Sequence, residues 1–287
     1  MADVSVLVLT FNEEANLPAC LDSVRWSDDL HVVDSGSTDR TQEIARGFSA
    51  QVYVHPFKDF SDQRNWALRN ARFAHEWVLV LDADESVPPE LAQEMEIAVQ
   101  QAPAGVVGFE FRRKVFFLGR WIKRAGQFNA FWFLRLFRHR EARYEDRSVN
   151  EYLLIEGEIR RLRGALIHDD RKPIEFLLQR YNHYSTLEAE ETIRLLRGGA
   201  ETGLAAKLTG TAAERRRWLK QLHLRLPLRG TRKLLYLLLW RRGLLDGRPG
   251  VLFSFLMAAQ EWMLAVKLEA LKRGLPVRSE PAGQGKS

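Results

Sequence analysis

Two carboxylates, Asp82 and Asp84, stand one residue apart directly after the apolar run 77–81. At the end of a buried strand both can reach a hard divalent cation or a sugar-nucleotide hydroxyl, and charge in such a place costs burial free energy. A small divalent cation keeps waters and takes one or two carboxylates, with phosphates supplying other ligands, so the pair suits a nucleoside diphosphate. Taken alone, Asp-x-Asp also occurs in turns, so the groups around it decide its meaning. Arg64, within Gln63-Arg64-Asn65, can donate two parallel hydrogen bonds to a phosphate or serve as a helix-surface cation. Asp34, heading Asp34-Ser35-Gly36-Ser37-Thr38-Asp39, can accept from a base or ribose or hold a turn. His168 ends the run Ala165-Leu166-Ile167, where an imidazole is a third metal ligand, a diphosphate donor or a satisfied structural residue. Cys20 lies at helical spacing with Leu17, Leu21 and Val24 and has no base near it in sequence, so it reads as core and not as a nucleophile.

The elements that must position these groups follow from the apolar pattern. Residues 4–9, 30–33, 52–54 and 77–81 are short β-branched or continuous apolar runs, as expected of strands buried on both faces. Between them, residues 13–24, 38–48 and 61–73 carry helical spacing, and Pro88-Pro89 opens a helix to about residue 99, with Ser37 or Thr38 capping the second helix. Alternation of this kind predicts an α/β fold with right-handed crossovers and a mixed, mainly parallel sheet flanked by helices. Ligands of such sheets bind beyond the carboxyl ends of the strands, which is where Thr10-Phe11-Asn12-Glu13, Asp34–Asp39 and Asp82-Ala83-Asp84 all fall. Neither GxGxxG nor GxxxxGK[ST] is present, which disfavours a dinucleotide fold and a P-loop NTPase.

Thr10-Phe11-Asn12-Glu13-Glu14, Val33–Asp39, Gln63-Arg64-Asn65 and Asp82-Ala83-Asp84 together resemble the family-2 inverting glycosyltransferases of the GT-A fold, in order and spacing over residues 4–85. Gly119-Arg120-Trp121-Ile122, residues 131–137, Val149-Asn150-Glu151, residues 165–168 and residues 242–250 extend the resemblance more loosely to about residue 270, towards lipopolysaccharide inner-core β-1,4-glucosyltransferases. The resemblance implies a UDP-sugar donor and a divalent cation, Mg²⁺ or Mn²⁺. It implies that Thr10, Phe11, Asn12 and Glu13 line the nucleoside pocket, that Asp34 contacts the base, and that Gln63 and Arg64 face the pyrophosphate. Asp82 and Asp84 become the ribose and metal carboxylates; His168, from its own place at a strand end, is the expected further metal ligand. An inverting reaction needs a carboxylate to take the acceptor hydroxyl's proton. Glu151 is the expected base and Asp146 the alternative. Many relatives carry His-Glu where this chain has Asn150-Glu151, so a role for that histidine does not transfer.

The charge is uneven. The 287 residues carry a formal +6, yet residues 1–100 hold 7 Lys/Arg against 18 Asp/Glu, and residues 151–287 hold 25 against 15. Within 207–242 there are 11 Lys/Arg and one acid, Glu214. Residues 234–240 form a seven-residue apolar run between Arg232-Lys233 and Arg241-Arg242, too short to span a bilayer but suited to lie in a headgroup region. Residues 251–268 are broken by Gln260, Glu261 and Lys267, and read as a buried or interfacial helix. No segment is expected to span, and the opening MADVSVLVLTFNEE is not expected to be a signal peptide.

Each Lys or Arg near an anionic leaflet contributes about 1 kcal/mol, so an anionic membrane surface and a membrane-associated glycolipid acceptor are the expected partners. Trp218, Trp240 and Trp262 are either interfacial anchors or the packing of a helical subdomain. Nucleic acid is not expected: no binding signature accompanies the basic residues, and the acidic amino-terminal part repels a polyanion. A basic membrane- or nucleic-acid-binding protein without catalysis, and transfer to a polyprenyl phosphate, are the alternatives. The expected organisation is a nucleotide-sugar-binding and catalytic domain over 1–170, a helical, basic extension over 171–274 and a disordered tail over 275–287. The expected location is the cytoplasm, peripheral on the inner face of the cytoplasmic membrane.

Overall fold

The computed structural model describes residues 3–126, 128, 130–145, 152–196, 209, 214, 215, 218 and 228–278. Its first strand, β1 (Val4–Thr10), has no polar alternation and is buried on both faces, as a central strand must be. Then come α1 (Leu17–Asp22), β2 (Leu30–Asp34), α2 (Thr41–Gly47), β3 (Gln51–Val54), α3 (Phe60–Asn70), β4 (Trp77–Asp82), β5 (Glu85–Ser86) and α4 (Pro89–Gln100). The remaining strands are β6 (Val106–Phe117), β7 (Arg120–Trp121), β8 (Phe133–Arg138), β9 (Arg143–Tyr144), β10 (Leu153–Leu154) and β11 (Glu158–His168).

One sheet runs β3-β2-β1-β4-β8-β6-β11-β5, with β7 joined to β6, while β9 and β10 pair separately. Strands β1 to β4 are mutually parallel. β8 is antiparallel to both β4 and β6, which restores the direction of β6, and β11 is parallel to β6. The carboxyl ends of β1, β2, β3, β4, β6 and β11 therefore share one edge. Register fixes the neighbours there: Thr10 opposes Asp34, Leu9 opposes Asp82, and His168 opposes Glu85. This is the mixed, mainly parallel sheet with flanking helices that the residue pattern predicts. Leu17, Leu21, Ala45, Leu91 and Met95 cover one face, and Ala67 of α3 packs with Leu7, Val78, Val80 and Phe137 on the other. Each fully buried Leu or Met among them contributes about 1.5–3 kcal/mol, so both faces hold the edge rigid.

Two helices start later than their spacing predicts, for local polar reasons. Residues 13–16 do not join α1 because the Asn16 amide donates to Glu13 and Asp170 and its carbonyl oxygen accepts from the Arg171 amide. Helix α2 starts at Thr41 because Ser37 bonds Asp34 and the Thr38 amide bonds Asn12, so neither caps it.

The carboxyl-terminal region is helical: α5 (Ile174–Leu196), α6 (Arg229–Leu235), a π-helical turn (Tyr236–Trp240), a 3-10 turn (Gly243–Asp246) and α7 (Gly247–Lys272). Ala189 and Ile193 of α5 pack on Leu264 and Leu268 of α7. Lys267 Nζ donates to Asn182, Ser185 and Thr186, and Arg229 pairs with Glu261 at 3.0 Å. The charges that break the apolar pattern of α7 are thus turned onto neighbouring helices. This corrects the expectation that no segment can span: the stretch Gly243–Lys272 is long and apolar enough to cross a membrane by length and composition. Gly230 lies where a Cβ would sit 2.3 Å from the Trp262 indole, so Trp262 packs within the helical region. Trp240, by contrast, is 80% exposed and Leu239 62% exposed. The basic stretch 219–227 and the tail from residue 279 lie outside the described residues.

Candidate active site at the carboxyl edge of the sheet

The loops after β1 and β2 are sewn together by side chains. Asp34 is fully buried, and its carboxylate accepts from Thr10 Oγ1 at 2.8 Å, Ser37 Oγ at 2.5 Å, Gln42 Nε2 at 2.8 Å and the amides of Gly36 and Ser37. Asn12 adopts a left-handed φ of 52°, which lets its amide N–H reach Ser37 Oγ and its side-chain oxygen accept from the Thr38 amide. Asparagine tolerates that conformation better than most residues. The Glu13 amide reaches Thr41 Oγ1 at 2.7 Å. Asp34 thus organises the double loop through its whole carboxylate, and Phe11 is left 56% exposed at the loop tip.

At the end of β4, Asp82 accepts from Arg64 Nη2 at 3.2 Å and from Arg135 Nη2 at 2.6 Å. Arg135, on β8, also reaches Glu85, which Arg113 of β6 contacts at 3.1 Å. Burial raises the Asp82 carboxyl, but the Arg135 and Arg64 guanidiniums outweigh it and hold the group well below the usual carboxylate range. Arg64 is placed by α3 and lies over the Tyr144 ring. The next residue, Asn65, clamps β9 by bonding both the Tyr144 amide and carbonyl. Gln63 is buried and donates to the His55 carbonyl.

Asp84 turns the other way. Its Oδ2 is 3.2 Å from His168 Nε2 and 3.1 Å from Arg180 Nη1, the latter on α5. Burial again raises the carboxyl, and His168 and Arg180 more than reverse it. Arg180 also pairs with Asp170 at 3.0 Å. Lys172 Nζ donates to Glu13 at 2.6 Å, yet burial outweighs it and the Glu13 carboxyl titrates above its ordinary range. Tyr184 of α5 packs on Phe60, and burial pushes its hydroxyl up to about 12, so it stays a neutral donor at physiological pH. The first three turns of α5 thus form one wall of the site.

The edge brings together Thr10, Phe11, Asn12, Glu13, Asp34, Arg64, Asp82, Asp84 and His168, and Gln63 supports it from beneath. Glu151 and its alternative Asp146, with Asn150, lie outside the described residues. Sequence reasoning misses Arg135, Arg113, Glu85, Lys172 and Asp170, and gives Arg180 no chemistry. The available signal for Arg135 is its position as the lone charge in the apolar run 131–137. Cys20 is buried, and burial followed by the nearby carboxylates pushes its thiol far up, so it is core as expected.

Among the described residues no three His, Cys, Asp or Glu side chains gather as a metal-ligand set. The Asp84–His168 pair offers two ligands, and His168 Nδ1 is buried without a hydrogen-bond partner. Two protein ligands, one carboxylate and one imidazole, fit a divalent cation that draws its other ligands from diphosphate and water.

A family model described as glycosyl transferase family 2 matches residues 5–152, just over half of the 287 residues. The lipopolysaccharide core biosynthesis glycosyltransferase LpsC of Rhizobium meliloti is 27% identical over 200 residues, covering 66% of this chain and 72% of that protein. An uncharacterized glycosyltransferase of Rickettsia typhi is 28% identical over 206 residues, covering 68% and 69%. Among solved structures, residues 1–349 of TarS from S. aureus, in complex with UDP-GlcNAc, align with a TM-score of 0.43 at 16% identity over 96% of this chain and 93% of that one. Glucosyl-3-phosphoglycerate synthase from Mycobacterium tuberculosis, in complex with Mn²⁺ and UDP-glucose, aligns with a TM-score of 0.34 at 23% identity over 39% of this chain, which spans 44% of that synthase.

Proposed function

The chain belongs to glycosyl transferase family 2, and on that premise we propose that it is an inverting enzyme that moves a hexose, glucose from UDP-glucose, to a lipid-linked glycan such as a lipopolysaccharide inner-core heptose. The observation that carries this reading is the Asp84–His168 pair, 3.2 Å apart on the edge where Asp82 and Arg64 also meet. The likeness to LpsC supports the acceptor class.

On this reading the double loop held by Asp34 receives the nucleoside, lined by Thr10, Phe11, Asn12 and Glu13, with Asp82 taking the ribose. Arg64 faces the diphosphate, with Gln63 supporting it from beneath. Asp84 and His168 would hold Mg²⁺ or Mn²⁺, which would supply positive charge to offset that of the departing diphosphate. Glu151 takes the proton from the attacking acceptor hydroxyl, and a positioned general base contributes about 10²–10⁴-fold in rate. Tyr184 and Phe60 restrict water at the α5 side. Residues 1–170 are then the donor-binding and catalytic unit, to which the extension over 171–274 lends Lys172 and Arg180.

The enzyme sits on the inner face of the cytoplasmic membrane, and nucleic acid is not its partner. Support comes from the exposed apolar turn Leu239, Trp240, Leu244 and Leu245, bordered by Arg241 and Arg242. A second reading, transfer to a polyprenyl phosphate, draws on the long apolar stretch Gly243–Lys272.

A screen of UDP-, GDP- and dTDP-sugars with Mg²⁺ or Mn²⁺ tests both, offering lipopolysaccharide core and polyprenyl phosphate in parallel. The expected product is a β-linked glucose on the core, dependent on UDP-glucose. Transfer only to the polyprenyl phosphate selects the second reading, and no transfer from any donor sinks both.

A further inference from the structure

Strand β6 places Arg113 towards Glu85 and the donor site, so Arg112 and Lys114 on either side of it point to the opposite face of the sheet. There cations and aromatic rings form one continuous cluster. Lys114 Nζ and Lys123 Nζ lie 5.5 and 5.3 Å from the centre of the Trp121 ring. Trp121 meets Phe128 edge to face at 5.2 Å. Arg112 covers Phe128 at 4.6 Å and Trp132 at 5.3 Å, and Arg161 covers Trp132 at 4.7 Å.

Two features say that this shelf is built for a ligand. Four cations lie on it, and while Arg161 is paired with Glu110 at 2.6 Å, Lys114 and Lys123 have no carboxylate partner among the described residues. Two ammonium groups sharing one indole repel each other, and an anion between them relieves that repulsion. The Trp121 indole Nε1 is buried without a hydrogen-bond partner, a donor held ready in the same place. The shelf also borders the carboxyl edge: β7 turns back antiparallel on β6, with Trp121 opposite Phe116, and Val115, beside Lys114, opposes His168.

We propose that the Trp121–Phe128–Trp132 shelf, with Lys114, Lys123, Arg112 and Arg161, binds the acceptor and selects glycans that carry phosphate or carboxylate groups. Aromatic faces stack on the apolar faces of pyranose rings, and the cations take the anionic substituents. A neutral glycan would use the rings alone and a free phosphate the cations alone. The inference rests on the glycosyl-transfer reading and names its acceptor chemistry.

Calorimetric titration of the full chain, loaded with UDP, tests it. The probes are phosphorylated core oligosaccharide freed of lipid and the same oligosaccharide after phosphatase. The phosphorylated form should bind about tenfold more tightly or better, the equivalent of about 1.4 kcal/mol. Lys114→Gln with Lys123→Gln should erase that difference while leaving UDP affinity unchanged. Lys123→Gln alone, at an exposed position, should weaken binding in the same direction and stands in if the double variant fails to fold. Equal binding of the two oligosaccharides, an undiminished preference in the variants, or equally tight binding of a single-stranded RNA oligomer would overturn the shelf. UDP binding with no oligosaccharide binding also overturns it, whereas loss of UDP binding as well overturns the transfer reading beneath it.

Discussion

Arg135 Nη2 donates to Asp82 Oδ2 across 2.6 Å, and the same nitrogen lies 3.3 Å from Glu85. An antiparallel strand thus reaches across the sheet to hold the end of β4. Removing one partner of a buried ion pair strands the other charge and costs about 3–5 kcal/mol. Asp82 is one-third exposed, so solvent screens its share, and Glu85, at 1% exposure, carries most of the loss. Arg135→Met should therefore lower stability by about 3 kcal/mol in urea denaturation. It should also weaken UDP-sugar binding, with Arg135→Lys recovering part of both. Unchanged stability would show that Glu85 relies on Arg113 alone.

Asp84→Asn and His168→Ala should each lower turnover about 10²-fold or more, as removal of a charge-stabilising group does. Mn²⁺ titration followed by electron paramagnetic resonance should lose its saturable phase in both. Full activity after exhaustive chelation removes these two side chains from any metal role.

Glu151→Gln should reduce turnover by about 10²–10⁴-fold while UDP-glucose binding stays intact. Asp146→Asn should leave turnover close to that of the unaltered protein. The reverse pattern would transfer the base assignment to Asp146.

Asp29 offers a pH test away from the site. Its carboxylate accepts from Ser5 Oγ at 2.6 Å and from the Ala74 amide at 2.8 Å. Burial raises its pKa, yet these bonds and His31 bring it below the ordinary 3.8. A depressed folded pKa means that the stabilisation is fully present above the unfolded value and fades as pH falls through the folded one. Asp29→Asn should therefore cost about 1–3 kcal/mol at pH 7, with the deficit shrinking below about pH 4. A deficit independent of pH would show that packing, not charge, accounts for it.

Leu239→Ser with Trp240→Ser should abolish co-sedimentation with vesicles containing anionic lipid. Soluble transfer to lipid-free core oligosaccharide should be unaffected, since both side chains project from the protein. Retained vesicle binding would assign the attachment to the Gly243–Lys272 stretch or to the basic residues before it.

The strands and the carboxyl-edge loops were legible because each depends on a local pattern. Continuous apolar runs mark the buried strands, and Asp82-Ala83-Asp84 follows directly from one of them. The cations were not legible, because Arg135, Arg113 and Lys172 reach the edge only through the pairing of β8 and β6 and the turn after β11. The starts of α1 and α2 shifted because side chains that cap helices in isolation were taken by other partners, Asn16 by the distant Asp170, Thr38 by Asn12 and Ser37 by the nearby Asp34. The spanning potential of α7 was obscured because Glu261 and Lys267 interrupt the sequence but not the helix face turned away from α5 and α6.

Helix α5 has 23 residues, about 34 Å at 1.5 Å per residue. Near its start Arg180 sits on Asp84, and near its end Ala189 and Ile193 sit on α7. Trimming the protein at the last strand to obtain a tractable soluble fragment would leave Asp84 without one of its two counter-charges and Glu13 without its ammonium. Any minimal version of this enzyme must therefore keep α5, and with it the apolar face of α7 that α5 shields.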